Sequence, residues 1–329
     1  MKIRLKDIAQ QTGFSINTVS RALKDKDDIS EETKKIILSA AEEMGYIPNG
    51  VASGLRSGMT NTIAVVLSDV SNPYFSIMAR FIEIAARKKG YAIFVLNSGE
   101  KQEVEEKSVY LALQKGVDGI ILFPAQQSAN SIKILEKSGI PFILVGRHFP
   151  GLNTNYLITD DVKGGYLATK YLIDRGAEKI LLLNAPEYVS CSTEREEGYR
   201  RALEESGIGY DPALVVRHDV TQGNSYHIMN GILERNVRFQ AIFAFNDMVA
   251  WEAISALEEK GIKVPGDMNV VGYDNIQSHL FIPFPLTSID ICKEEMAYRA
   301  IEILVKKIQG KSKKKIYREV FPTKLVVRS

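Results

Sequence analysis

From residue 62 the chain alternates short β-branched apolar runs with amphipathic stretches, and this alternation restricts its fold more than any other feature. "TIAVVLSD", "YAIFVLNS", "VDGIILFP" and "PFILVG" are interleaved with helical patterns over 75–90, 102–115 and 129–138, and the block ends near "YLITDD". A second block repeats the plan: helix 163–175, "KILLLNAP", helix 194–206, "LVVRH", helix 223–235, "AIFAFND", helix 248–260, "NVVGYDN". Strands that are apolar at nearly every position have no face to give to water. They belong to parallel sheets covered by helices on both sides. Two blocks imply an α/β core of two doubly wound parallel-sheet lobes. A last helix, 293–309, and the strands in "IYREVFPTKLVVRS" are expected to cross between them. The expected first lobe is 62–160 plus 291–316, and the second is 161–290 plus 317–329.

The first 48 residues follow a different rule, with no strand pattern. "LKDIAQQTG" places Leu5, Ile8 and Ala9 on one helical face, and Gly13 suits a left-handed stop. Ser15 can cap a second helix whose inner face is Val19, Ala22 and Leu23. "SEETKKIILSAAEEMG" starts on Ser30 as cap, with Glu31 and Glu32 complementing the helix dipole. Its apolar positions are Ile36, Ile37, Ala40, Ala41 and Met44, and Gly45 ends it. The result is an all-α helix-turn-helix headpiece over 1–48. Residues 49–61 read as a linker that contains a marginal helix, "NGVASGLRS", too glycine-rich to be stable alone.

Bulk charge names no partner. The net charge is +2, and residues 1–60 hold nine Lys/Arg against eight Asp/Glu. Any case for nucleic acid rests on where the charges sit. Cys191 and Cys292 suit a reduced protein with free thiols. His148, His218, His227 and His279 lack metal-ligand spacing, so neither a metal nor a cofactor is expected. No apolar run is long enough to span a membrane, and the start has no secretory apolar segment. A cytoplasmic protein without membrane contact is expected. G-x-G-x-x-G after a strand, Walker and G-x-S-x-G patterns are absent, so an enzyme is not expected.

The second helix of a helix-turn-helix enters the major groove by its first turn. Here that turn is Ser15, Ile16, Asn17 and Thr18, short and mostly hydrogen-bonding, with Arg21 one turn on. Asn can address an adenine edge, Ile a thymine methyl, and Arg a guanine or a phosphate. Lys2, Arg4 and Lys6 are placed for backbone phosphates. Leu55 in the marginal helix is a candidate wedge for the minor groove, ordered when DNA gives that helix a surface.

"LKDIAQQTGFSINTVSRALKDKDDISEETKKIILSAAEEMGYIPNGVASGLRSGMTNTIAVVLSD" resembles the N-terminal signature of the lactose-repressor/galactose-repressor (LacI/GalR) family of bacterial transcription regulators. "SNPYF", "TDDVKGG", "REEGYRRAL", "AFNDMVA" and "NVVGYDN" agree with it, so the resemblance runs the whole length. It implies a homodimer on near-palindromic operator DNA, with a headpiece, a hinge helix over 49–61 and a periplasmic-binding-protein-like core. A small effector, usually a sugar or nucleobase, would bind between the lobes. By position it carries the recognition role to Ser15, Ile16, Asn17, Thr18 and Arg21, and the minor-groove role to Ala52 and Leu55. Asn49 falls in the same DNA-facing hinge. The sequence departs from the family at Gly146–Arg147, where many members carry an aspartate, and at Ala177, where a histidine is common.

Open α/β sheets bind ligands beyond the carboxyl ends of their strands. In the first lobe that rule selects Asn72, Tyr74 and Phe75, then Gln126, then Arg147. In the second it selects Ser190, Ser192, Arg195, Asp219, Asn246 and Asp274. The resemblance gives most support to Arg195, Asn246 and Asp274, whose groups suit vicinal hydroxyls. Asp247 is expected to cap the following helix, and Trp251 to serve core or interface. The expected function is a ligand-responsive transcription regulator, a repressor, with a sugar-like effector. A solute-binding sugar receptor without a DNA role is the alternative. The end of the chain, "VVRS", carries no heptads, so a dimer is expected and not a coiled-coil tetramer.

Overall fold

In the computed structural model, residues 3–47, 58–235, 237–312 and 315–328 are described. The chain divides between Thr60 and Asn61 into two units.

In the first unit, helices α1 (Leu5–Thr12), α2 (Ile16–Ala22) and α3 (Glu31–Glu43) enclose a small core of Ile8, Val19, Ala22, Ile37, Ala40 and Ala41. Gly13 ends α1 at φ 75°, where a side chain would be strained. Ser15 caps α2 by accepting the Thr18 amide at 3.0 Å, and Ser30 caps α3 by accepting the Thr33 amide at 3.3 Å. Ile36, expected on the inner face of α3, is instead exposed, because Ile37 and Ala40 already fill the contact with α1 and α2. Lys34 is buried and pairs with Asp25 at 2.7 Å and Glu31 at 2.9 Å, which fastens the left-handed Asp25 turn after α2.

The second unit is two α/β lobes. The first contains β1 (Thr62–Leu67), α4 (Pro73–Lys88), β2 (Ala92–Asn97), α5 (Gln102–Gln114), β3 (Gly119–Leu122), α6 (Asn130–Ser138), β4 (Phe142–Val145) and β5 (Tyr156–Thr159). The second contains α7 (Asp161–Asp174), β6 (Ile180–Asn184), α8 (Ser190–Glu205), β7 (Val215–Arg217), α9 (Asn224–Glu234), β8 (Ala241–Ala244), α10 (Asp247–Glu259), β9 (Asn269–Asp274) and β10 (Thr287–Ile291). Then α11 (Lys293–Ile308) returns to pack on α4, β11 (Arg318–Phe321) joins the first sheet and β12 (Thr323–Val326) the second.

The first sheet runs β11-β5-β4-β3-β1-β2, parallel throughout. The second runs β12-β10-β9-β8-β6-β7, parallel except for the antiparallel edge pair β10–β12. Central strands are covered on both faces: Ile63 to Leu67 and Ile180 to Leu183 are inaccessible to solvent. Each such aliphatic side chain contributes roughly 1.5–3 kcal/mol. That is why these stretches read as unbroken apolar runs.

Two expectations need correction. The first lobe does not end at 316, because β11 at 318–321 pairs with β5 and completes its sheet. The helix expected at 194–206 begins at Ser190, one turn earlier, which moves Ser190, Ser192 and Arg195 from a loop onto α8.

The chain passes between lobes three times: from β5 into α7, from β10 into α11, and from β11 through Pro322 into β12. In the second lobe α7 and α8 cross with almost no space between them. A Cβ at Gly165 would collide with the Arg195 carbonyl, and one at Gly198 with the Val162 carbonyl. The motifs "TDDVKGG" and "REEGYRRAL" therefore supply the two sides of one helix crossing.

Candidate effector cavity and nucleic-acid interface

In the first unit, α2 turns Val19 and Ala22 inward and its first turn outward. Ile16 is 53% exposed and Asn17 is exposed beside it. The Ser15 and Thr18 hydroxyls lie 2.8 Å apart and are occupied with capping. Arg21 is exposed, with its guanidinium on Asp28 (Nε 2.8 Å, Nη2 2.6 Å). Lys6 is exposed on α1. The surface offered to a partner thus has an apolar tip, an amide and a guanidinium whose geometry is already fixed. Lys2, Asn49, Ala52 and Leu55 lie outside the described residues.

In the second unit a cavity of ≈ 140 Å³ opens between the carboxyl ends of both sheets. Seven of the residues selected from sequence line it: Asn72, Tyr74, Phe75, Arg147, Arg195, Asn246 and Asp274. Asn72 and Asn246 cap α4 and α10, accepting the amides of Tyr74 (3.0 Å) and Val249 (2.9 Å). Their side-chain positions are thereby fixed by the helices they start. Capping of α10 belongs to Asn246 and not to Asp247. Asp247 points away and accepts from Ile276 N–H at 2.8 Å and Ser288 O–H at 2.6 Å. Tyr74, Phe75 and Phe123 meet edge to face with centroids 4.9–6.4 Å apart and form an aromatic wall. Gly146 adopts φ 77°, and a Cβ there would press on the Tyr74 hydroxyl. Burial pushes that hydroxyl far above its ordinary pKa.

Both cavity arginines are already paired. Arg147 makes a two-point contact with Glu100 (2.7 and 2.9 Å) and donates to the Pro124 carbonyl. Arg195 donates to Asp161 at 2.8 Å and to the Phe245 carbonyl, and its guanidinium carbon lies 3.5 Å from the Tyr273 ring centroid. Burial works against both charges, but Glu100 beside Arg147 and Asp161 beside Arg195 hold the two guanidiniums above their ordinary range. Asp274 differs. It is 7% exposed, and no group among the described residues hydrogen-bonds its carboxylate. Burial raises its pKa, opposed by Arg195 and by Lys293. Its backbone sits at φ 93°, with the carbonyl held by the buried Lys293 ammonium.

Four residues selected from sequence do not line the cavity. Gln126 spends its amide between the lobes, donating to the His148 carbonyl (2.6 Å) and accepting the Ser190 amide (2.9 Å). The Ser190 hydroxyl accepts the His148 amide at 3.2 Å, and His148 Nε2 lies 2.7 Å from Glu194. Ser192 donates to the Ala185 carbonyl and closes the turn before α8. Asp219 is exposed beyond β7.

Sequence reasoning missed Glu100 and Glu252. Glu100 follows β2, and the strand-end rule applied to that strand would have found it. Glu252 lies a turn inside α10, and its carboxylate accepts the amides of Gly223 (2.7 Å) and Ser225 (3.0 Å) at the start of α9. Only the tertiary contact brings it to the cavity. Among the described residues no cluster could hold a metal ion, and no helix is long and apolar enough to cross a membrane.

Residues 4–49 match the family described as bacterial regulatory proteins, lacI family. Residues 60–325 match periplasmic binding proteins and sugar binding domain of LacI family. The chain belongs to the LacI family. The HTH-type transcriptional regulator DegA of Bacillus subtilis (strain 168) is 34% identical over 100% of this chain and 98% of its own. The HTH-type transcriptional repressor PurR of Pasteurella multocida (strain Pm70) is 32% identical over 98% and 97%. Among solved structures, the Lac repressor dimer bound to operator and the anti-inducer ONPF has TM-score 0.85 at 25% identity, covering 100% of this chain and 98% of its own. A complex of the transcriptional regulator CelR with cellobiose has TM-score 0.73 at 28% identity, covering 99% of each. LacI-family membership accounts for both units of the chain, and the expected headpiece and two-lobed core are the architecture found.

Proposed function

We propose that this LacI-family chain is a ligand-controlled repressor. It binds a near-palindromic operator as a cytoplasmic homodimer and takes a small sugar-like effector between its lobes. The observation that carries the reading is Asp274: a buried carboxylate with no hydrogen-bond partner among the described residues, on a cavity wall where the arginines are already satisfied. Such a group is ready to accept from ligand hydroxyls. Asn246 adds an amide, and the Tyr74, Phe75 and Phe123 wall adds a surface for a sugar ring. The Lac repressor structure with operator and anti-inducer and the CelR structure with cellobiose support the pairing of DNA and sugar.

Binding between the lobes favours one relative orientation, with the three chain crossings as the pivot. In a dimer this changes the spacing of the two headpiece connections. Operator DNA accepts one spacing, so effector and operator are energetically linked, by ~1–3 kcal/mol in typical cases. The match of residues 4–49 to the regulatory family favours a regulator over a solute receptor. Its relatives are regulators, and no turnover of sugars is expected.

The test is a thermal-shift screen of sugars and nucleobases against the full chain, repeated with duplex obtained by random-sequence selection. A stabilising compound whose effect disappears in Asp274→Asn, with DNA binding retained, is the expected result. A chain that retains no duplex in the selection overturns the regulator reading.

A further inference from the structure

We infer that the core itself carries a second DNA-facing surface: a cationic edge of the first lobe that meets the phosphate backbone beside the operator. The inference rests on the repressor reading above. In both lobes the parallel strands, all but β12, point their carboxyl ends into the cavity, so their starting ends form the two outer edges of the core. The first-lobe edge is where the chain enters from the headpiece. The Asn61 carbonyl accepts the Ala92 amide at the start of β2, and the Thr62 carbonyl accepts the Asp118 amide before β3. Whatever duplex the headpiece holds is tethered to this edge by chain continuity.

The first-lobe helices end on that edge; α4 and α6 carry lysine in the last turn, and α5, which has no basic residue there, carries one at its cap. The helix ends contribute Lys88 as the last residue of α4 and Lys89 at its cap, Lys115 at the cap of α5, and Lys137, which follows Glu136, in the last turn of α6. Lys311 and Lys315, beyond α11, extend the row. Lys315 flanks a shallow groove against Phe142 and Asn155, which places it beside the starts of β4 and β5. Between Glu302 and Glu319 the sequence has seven Lys/Arg and no acid. Asp118 and Glu136 bring opposing charge to the same edge. Lys88 donates to Tyr298, while Lys89, Lys115, Lys137, Lys311 and Lys315 are exposed.

The obvious alternative is that lysines at helix C-termini merely complement the helix dipoles. The second lobe argues against it. Its four helices have the same polarity and carry no basic residue in the last turn. They end instead on Asp174, Glu204 and Glu205, Glu234, and Glu258 and Glu259, so that the cations at the caps, Arg175, Arg235 and Lys260, each follow an acid. Dipole complementarity would act on both lobes alike. A cationic edge at the headpiece connection and acidic helix ends at the far edge orient the core in the field of a polyanion.

The test measures affinity of the full chain for a mixed-sequence duplex of about 40 base pairs over a salt series. The triple variant Lys89→Gln/Lys311→Gln/Lys315→Gln is compared with Arg175→Gln/Arg235→Gln/Lys260→Gln on the far edge, which makes the same change in net charge. Unfolding curves of both are required to match the parent, and single Lys311→Gln and Lys315→Gln variants serve if a triple does not. The expected result is about a tenfold loss at low salt for the near triple, with the salt slope reduced by about 0.9 for each phosphate no longer neutralised. The far triple should change affinity less than about twofold. Equal losses in the two triples, or none in either, overturn the surface and leave the lysines to another polyanionic partner. Absence of duplex binding by the parent chain overturns the repressor reading itself.

Discussion

Arg195 Nε lies 2.8 Å from Asp161 Oδ1, and both side chains are almost entirely buried where α7 and α8 cross. The pair joins the start of one helix to the second turn of the other, and Arg195 lines the cavity. Removing only the anion strands a cation in a dry site. Asp161→Asn should therefore cost ~3–5 kcal/mol in chemical unfolding of the full chain. Asp161→Asn/Arg195→Met should recover part of that loss. A single variant within ~1 kcal/mol of the parent would show that the pair is solvated.

The close approach of α7 and α8 leaves no volume for a methyl group at Gly165, where a Cβ would overlap the Arg195 carbonyl. Gly165→Ala is expected to lower stability by ~1–3 kcal/mol or more, and to displace Arg195. Gly209→Ala, at a site with no atom within 4 Å of the added carbon, should change stability little. Because Gly→Ala at an unstrained site stabilises through the unfolded chain, a similar loss at both positions would show that the effect does not arise from the crossing.

Burial first and the neighbouring Asp274 second push the Asp247 carboxyl up to about 7, with Ser288 and the Ile276 amide opposing. A carboxyl with a raised folded-state pKa favours folding most below its unfolded value. That contribution is lost as pH rises through the folded value. Thermal unfolding should show the parent losing stability relative to Asp247→Asn between pH about 4 and 7, by ~4 kcal/mol at most. A constant difference across that window would place the titration elsewhere.

Asn17 is exposed in the first turn of α2, and its side chain makes no hydrogen bond among the described residues. In selection experiments Asn17→Ala should relax preference at one base pair per half-site, worth ~1–3 kcal/mol of discrimination. Ser15→Ala removes the cap of α2 and should cost ~1 kcal/mol of headpiece stability at unchanged sequence preference. Unchanged preference in the Asn17 variant would remove that residue from base reading.

Local pattern was enough to set the element order, the two sheets and the three capped headpiece helices. Runs such as "TIAVVL" can only be buried on both faces, and Ser15, Gly13 and Ser30 act within a turn of their own positions. It also placed Asn72, Asn246 and Asp274, because strand ends in this fold converge by topology. What it did not determine was which polar groups near those ends are consumed by the protein. Gln126 and Ser190 bond each other across the lobes, Arg147 closes on Glu100 and Arg195 on Asp161, and Glu252 reaches the cavity from inside a helix. A hydrogen bond or ion pair between residues 34 to 64 positions apart leaves no mark in local pattern. Only tertiary packing, which decides whether a buried group meets its partner or a ligand, distinguishes Asp274 from the carboxylates already spent.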